Sequence, residues 1–181
     1  MTKAIRYYFI AILLLILCDI SIANKSNNDS LQHALSRVRT DSEKVDVLIA
    51  LAKENSKTNF LQYINEALSL AEKINYKKGI IICNAALGKY YFEKENFSTS
   101  LLHCIISYNY AREINDNSGM AYASLYIGYN NYHNNPNISL KYYKKNIDYC
   151  RLAGNKALEA YGHSAIGNIY ESRNDGAIAL K

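Results

Sequence analysis

The sequence predicts an all-α protein, a solenoid of antiparallel helical hairpins, and three observations carry that expectation. Self-similar columns recur every 36 to 40 residues, and within each repeat the apolar residues fall three and four apart. The 181 residues are 49% hydrophobic and 20% charged, with one proline and eight glycines, which is enough apolar material for a core. That composition excludes a collagen, a polar linker and a chain disordered throughout. Seventeen tyrosines against four phenylalanines and no tryptophan supply side chains that half-bury while a hydroxyl stays in water or on a partner.

The repeat rests on four columns in phase. An aliphatic residue followed by a small one recurs as Leu51-Ala52, Leu87-Gly88, Ile127-Gly128 and Ile166-Gly167, at spacings of 36, 40 and 39. Ala67, Ser107 and Asn146 form a second column, Ala71, Ala111 and Cys150 a third, and the bulky Ile64, Cys104 and Tyr143 a fourth, each spaced by 40 and 39. The connector Ile74-Asn75 to Gly79 returns as Ile114-Asn115 to Gly119.

Residues 1–23 are a different kind of sequence. Lys3 and Arg6 precede an apolar run of 11 residues from Tyr7 to Leu17, and Ser21-Ile22-Ala23 offers the small residues a signal peptidase reads, so a signal peptide cleaved after Ala23 is expected. An uncleaved membrane anchor is the alternative, but the run is short of the roughly 20 apolar residues a span needs. Cys18 raises lipidation, which Leu17 before it disfavours. Removing Lys3, Arg6 and Asp19 leaves 19 basic and 15 acidic residues, a net of +4. Interleaved signs of that size argue against a nucleic-acid partner. Cys83, Cys104 and Cys150 remain, an odd number without metal-ligand spacing, and read as small buried hydrophobes.

Residues 24–41 read as a polar leader over 24–30 with a short helix from Leu31 to Arg39. Thr40 with Glu43 forms a capping box that opens the array at 42–181. Helices are expected over 42–56 and 59–74, then 77–94 and 97–114, then 118–134 and 138–153, and finally 156–173 with a second helix only begun. The units span about 42–76, 77–116, 117–155 and an incomplete 156–181. In 77–94, Ile81, Ile82, Ala85, Leu87, Gly88 and Phe92 keep the helical interval, as Leu101, Cys104, Ile105, Tyr108 and Ala111 do in 97–114. Glycine inside a helix costs about 1 kcal/mol against alanine, so Gly88 implies a close helix–helix approach that offsets it. Pro136 is placed in the turn between the helices of the third unit.

These motifs resemble the tetratricopeptide repeat. Its aliphatic-Gly-x-x-Tyr element appears as Leu87-Gly88-Lys89-Tyr90-Tyr91 and Ile166-Gly167-Asn168-Ile169-Tyr170, and its small-bulky-small triplet as Ser100, Cys104, Ser107 and as Ser139, Tyr143, Asn146. The sequence departs from the pattern in its longer period, against about 34, in Ala52 for Gly, in Asn131 for Tyr, and in lacking a proline at the end of a repeat. The resemblance implies a right-handed α-solenoid that binds a protein or peptide and does no chemistry. The long unit, with Ala-Arg-Glu-Ile-Asn-Asp at 111–116, is similar to arrays that precede a membrane span and a histidine kinase or regulator module in bacterial signalling proteins. Ala179 falls where Ser100 and Ser139 sit, so the last helix is expected to break off, as in a fragment of a longer sensory protein.

No catalytic residues, cofactor or metal are expected. His33, His103, His133 and His163 are out of step with the repeat, and no phosphate loop, GxSxG or HExxH is present. Lys141-Tyr142-Tyr143-Lys144-Lys145 reads as a buried Tyr143 with lysines fanned over an outer face. The expected site is a concave groove lined by the first helix of each unit. With the glycine column turned to the partner helix, the groove receives Ile49 and Lys53, then Ala85, Lys89 and Phe92. Leu125, Tyr129 and Tyr132 follow, then Ser164, Asn168 and Glu171, with Tyr122 and Tyr161 one turn earlier. These tyrosines either meet a partner or pack between units. The Lys/Asn carboxylate clamp of chaperone-binding arrays is not implied, because Ala85 and Lys89 stand at its positions. Export to the periplasm or cell envelope is expected, or membrane attachment if the first segment is retained.

Overall fold

A computed structural model of the chain describes residues 28–55 and 59–172. The expected signal peptide and cleavage site, Cys18 and the expected start of a second helix in the fourth unit lie outside those residues. Seven helices follow in order: α1 Asp41–Glu54, α2 Phe60–Lys73, α3 Lys77–Glu93, α4 Phe97–Glu113, α5 Asn117–Asn131, α6 Pro136–Ala153 and α7 Lys156–Ser172. They pair as the hairpins α1/α2, α3/α4 and α5/α6, with α7 opening the next unit.

The leader differs from expectation. A helical segment runs over 28–35 and ends in a turn at 36–37, so it starts earlier and stops sooner than Leu31 to Arg39. Its reason is docking: Leu35 packs on the first core cluster and Gln32 Nε2 donates to the Tyr63 hydroxyl at 2.8 Å. The capping box forms as read, with the Glu43 amide donating to Thr40 Oγ1 and the Thr40 amide to Glu43 Oε2, both at 3.2 Å.

The joints share one design. Asn75, Glu95 and Asn115 have φ of 55°, 58° and 55°, and Gly154 has φ of 70°. Each is the left-handed residue of a Schellman turn, in which the next amide reaches back to the helix: Tyr76 to the Ala71 carbonyl at 2.8 Å, Asn96 to Tyr91 at 2.9 Å, Asp116 to Ala111 at 2.8 Å and Asn155 to Cys150 at 2.9 Å. Asn96, Asp116 and Asn155 then cap the following helix by accepting from the amides of Thr99, Gly119 and Leu158. Glu95 has neither the freedom of glycine nor the local bonding of asparagine in that conformation. Glu95→Gly is therefore expected to stabilise the array by about 0.5–1 kcal/mol, read as a higher denaturation midpoint with an unchanged slope.

Pro136 is not in a turn but is the first residue of α6, with Asn135 as its cap. The position wastes no amide, because the first helical N–H has no partner within the helix. α5 ends at Asn131, three residues before the expected 134. Asn130 and Asn131 each turn their side-chain amide back on the carbonyl four residues earlier, at 2.8 Å.

No central core exists; the apolar side chains form successive clusters along the array. Val45, Leu48, Ile64 and Ala67 pack with Ile80, Cys83 and Leu87 between the first and second units. Ile81, Cys104 and Ala111 meet Met120, Ala123 and Ile127 between the second and third. Leu125 and Tyr143 meet Ala165 and Ile169 between the third and fourth. The glycine column faces the bulky column as expected. A Cβ on Gly88 would sit 2.5 Å from Cys104 Sγ, and one on Gly128 would clash with the edge of the Tyr143 ring. Repeated hydrogen bonds tie each hairpin or its neighbour: Ser107 Oγ donates to the Ile81 carbonyl at 3.0 Å and Asn146 Nδ2 to the Ala121 carbonyl at 2.9 Å. Along the array the first helices α1, α3, α5 and α7 touch successive neighbours, whereas α4 and α6 do not meet along their backbones. Each unit is thus a wedge, and the first helices form the inner surface.

Candidate functional site

The inner surface carries three hollows. The largest of these three, about 420 Å³, is lined by Lys53, Lys78, Ala85, Ala86, Asp116 and Tyr122 among others. A second of about 380 Å³ shares Lys53, Ala86 and Tyr122 and adds Phe60, Lys89, Tyr90 and Glu93. The third, about 210 Å³, is walled by Phe92, Phe97, Tyr129, Tyr132 and Tyr143, with His133, Ala165 and Asn168 completing it.

The structure divides the expected groove residues among these hollows. Lys53, Lys89 and Tyr122 come together in the first two, and Phe92, Tyr129, Tyr132 and Asn168 in the third. Tyr161, 61% exposed, and the exposed Glu171 line none of them. Leu125 is corrected: at 3% exposure it belongs to the third core cluster, against Ala165 and Ile169, and offers nothing to a partner. Ile49, at 5%, is core for the same reason. The position three before the glycine column points toward the adjoining unit, and a long aliphatic side chain there is drawn into the interface, while the smaller Ala85 leaves a hollow.

Lys78, Asp116, Phe60, Tyr90, Phe97 and His133 are lining residues that the column rule missed. Phe60 and Phe97 start second helices, which the rule does not address. Lys78 and Asp116 lie at the entry of first helices, above the turns that were counted.

An aromatic strip runs beneath the hollows. Tyr122 and Tyr126 lie 5.0 Å apart, Phe92 meets Tyr126 edge-on at 5.7 Å and stacks on Tyr129 at 5.6 Å, and Tyr129 meets Tyr143 edge-on at 5.6 Å. Tyr129 is therefore partly structural, while Tyr122 opens on both larger hollows. Burial raises the hydroxyl pKa of Tyr122, Tyr126 and Tyr129, so these groups stay protonated and act as hydrogen-bond donors rather than bases. The hydrogen bond from Lys89 to Glu93, 2.6 Å, raises the lysine pKa and keeps it charged. Lys53 and Lys78 make no ion pair among the described residues.

The other polar groups do not converge. His103 Nδ1 lies 2.8 Å from Asn84 Oδ1 and its ring stacks on Tyr91. His133 packs edge-on to Tyr132, His163 lies 3.6 Å from Glu159, and His33 is exposed. Among the described residues no group of three or more His, Cys, Asp and Glu could hold a metal ion. Among the described residues Cys83, Cys104 and Cys150 are free and buried, and burial pushes the thiols of Cys83 and Cys104 up to about 12. Tyr143 is buried and Lys141 and Lys144 are exposed, but Lys145 lies over the Tyr108 and Tyr142 rings at 5.2 and 5.1 Å.

Hairpins of this length, with a glycine seat for a bulky residue and first helices on the inside, define a tetratricopeptide-like α-solenoid. Among solved structures the chain is similar to a signal transduction ATPase with numerous domains (STAND) protein with a tetratricopeptide repeat sensor, from Pyrococcus horikoshii. The TM-score is 0.66 at 22% identity, over 78% of this chain and 23% of that chain. The chain thus corresponds to less than a quarter of that protein's length. No protein-family model matches the sequence, and no curated protein matches it.

Proposed function

We propose that the protein is an exported, non-catalytic scaffold that binds a protein or peptide partner along its inner surface. The observation that carries this reading is the pair of adjoining hollows, where unpaired Lys53 and Lys78 stand beside an apolar floor of Ala85, Ala86 and Tyr122. An extended segment with an acidic side chain complements both features: the carboxylate meets the ammonium groups while the apolar floor takes a neighbouring side chain. The lysines are exposed enough that salt should weaken the attraction.

Fluorescence anisotropy with a panel of labelled acidic and neutral peptides tests this. The double substitution Lys53→Glu with Lys78→Glu is expected to weaken the best acidic peptide about tenfold, or 1.4 kcal/mol, and to flatten its salt dependence. Unchanged affinity in a folded variant would remove these hollows as the binding face.

A second reading is the sensory N-terminal region of a longer signalling protein, favoured by the likeness to a protein that carries a repeat sensor. Reading-frame extension past Lys181 to a span of about 20 apolar residues and a kinase or DNA-binding segment would support it. Export rests on residues 1–23, and an intact mass beginning at Asn24 in the envelope fraction is the expected outcome. None of the described helices is long and apolar enough to cross a membrane; membrane contact in this reading arises only where the first segment is retained.

A further inference from the structure

We propose that the smallest hollow is a receptor for one positively charged side chain, a guanidinium or ammonium head, of the peptide bound along the first helices. The inference rests on the inner surface being the binding face. Phe92, Phe97, Tyr129 and Tyr132 wall a space of about 210 Å³, with His133 beside them and the fully buried Tyr143 at its base. Aromatic faces carry the negative part of the ring quadrupole, and a cation over them gains about 0.5–2 kcal/mol.

Three further features set its electrostatic sign. No lysine or arginine lines this hollow, whereas both larger ones contain lysines. Phe92, Tyr129 and Tyr132 lie at the C-terminal ends of α3 and α5, the negative ends of the helix dipoles, where the Tyr90, Tyr91, Phe92 and Tyr129 carbonyls already accept backbone amides. Phe97, in the first turn of α4, and Tyr143, within α6, are the exceptions, and the Thr99 amide of the α4 turn is already taken by Asn96. Glu171, exposed and three residues beyond Asn168 on the same side of α7, makes no ion pair among the described residues. Tyr132 is held in place by its hydroxyl, which donates to the Asn168 carbonyl at 3.3 Å.

The hollow also has a fixed relation to the Ala85 floor. Ala85 of the largest hollow and Phe92 of this one lie on the same helix, seven residues or about 10 Å apart at 1.5 Å per residue. An extended peptide advances about 3.3 Å per residue. A side chain seated on the Ala85 floor and a cation among the rings would therefore belong to residues about three apart.

The test is ligand-observed NMR on the folded chain with three probes: N-ethylguanidinium, the similarly shaped but neutral N-ethylurea, and isobutanol as the head of a leucine. The ethyl signals of N-ethylguanidinium are expected to move upfield saturably under the ring currents, with at least about fivefold tighter binding than either neutral probe. Tyr132→Leu and Phe97→Leu, which keep an apolar side chain but remove a ring, should each weaken it about fivefold while helix content is retained. Equal or tighter binding of N-ethylurea or isobutanol overturns the proposal, as does the absence of a saturable shift with the cation. The three-probe comparison decides the matter even where a variant fails to fold. Loss of acidic-peptide discrimination at Lys53 and Lys78 would be a separate failure, of the groove itself.

Discussion

Tyr143→Ala is expected to destabilise the array by about 3–5 kcal/mol, the range for truncating a fully buried aromatic residue. Tyr143 is 0% exposed and belongs to the cluster that joins α5, α6 and α7, with Leu125, Ala165 and Ile169 around it. Nothing can collapse into the space, because the residue directly facing the ring is Gly128. A solenoid's stability is close to a sum of unit and nearest-neighbour terms, so the damage should be local in its first appearance. Hydrogen exchange is expected to show α7 losing protection before α1 and α2, alongside a lower denaturation midpoint. Uniform loss of protection across all helices would mean that the units are coupled more tightly than their separate clusters indicate.

Gly128→Ala should also destabilise, by about 1–3 kcal/mol, although alanine is the better helix former. The new methyl would occupy the same space as the Tyr143 ring, and a fully buried ring cannot step aside without forcing α5 and α6 apart. The helical gain of about 1 kcal/mol is the smaller quantity. In the first unit the corresponding pair is Ala52 and Ile64, both buried in one cluster, so a hairpin of this kind can hold a methyl opposite an isoleucine. Combining Gly128→Ala with Tyr143→Ile should therefore recover part of the loss, and thermal melts of the single and double variants measure the coupling.

The hairpins were legible because their constraint is periodic. A seat without a side chain at Gly88 and Gly128 demands a specific partner 15 or 16 residues later, and Cys104 and Tyr143 answer it. Helix ends were less legible. Tyr132 continues the apolar period of α5, so periodicity alone carried that helix to 134, whereas Asn130 and Asn131 compete for its carbonyls and the chain leaves the helix. Pro136 reads from the sequence as a turn residue, although its ring suits a first helical turn.

The site was legible in outline and blurred in detail. Counting from the glycine column found Lys53, Lys89, Tyr122, Tyr129 and Tyr132, because first helices repeat their orientation. It also returned Leu125, since the count records direction and takes no account of how far a neighbouring unit reaches over that position. Phe60 and Phe97 enter from second helices across the open end of a hairpin. That crossing is a property of the stacking, and no local pattern encodes it. The competing uses of the tyrosines also turn out to be joint: Tyr129 is wedged between Phe92 and Tyr143 and still forms part of a hollow's wall.

The outer second helices bear on mechanics. α4 and α6 are spanned only by long side chains: the Tyr108 and Tyr149 hydroxyls lie 3.0 Å apart, and Lys145 Nζ donates to Tyr108 at 3.2 Å. Lengthening that seam would expose the Tyr108 ring, which is buried in the second cluster against Tyr142 and Tyr149, whereas the inner line is joined by direct helix contact. The back of the array is accordingly sewn by tyrosine rings that belong to the second cluster, while its front is joined helix to helix.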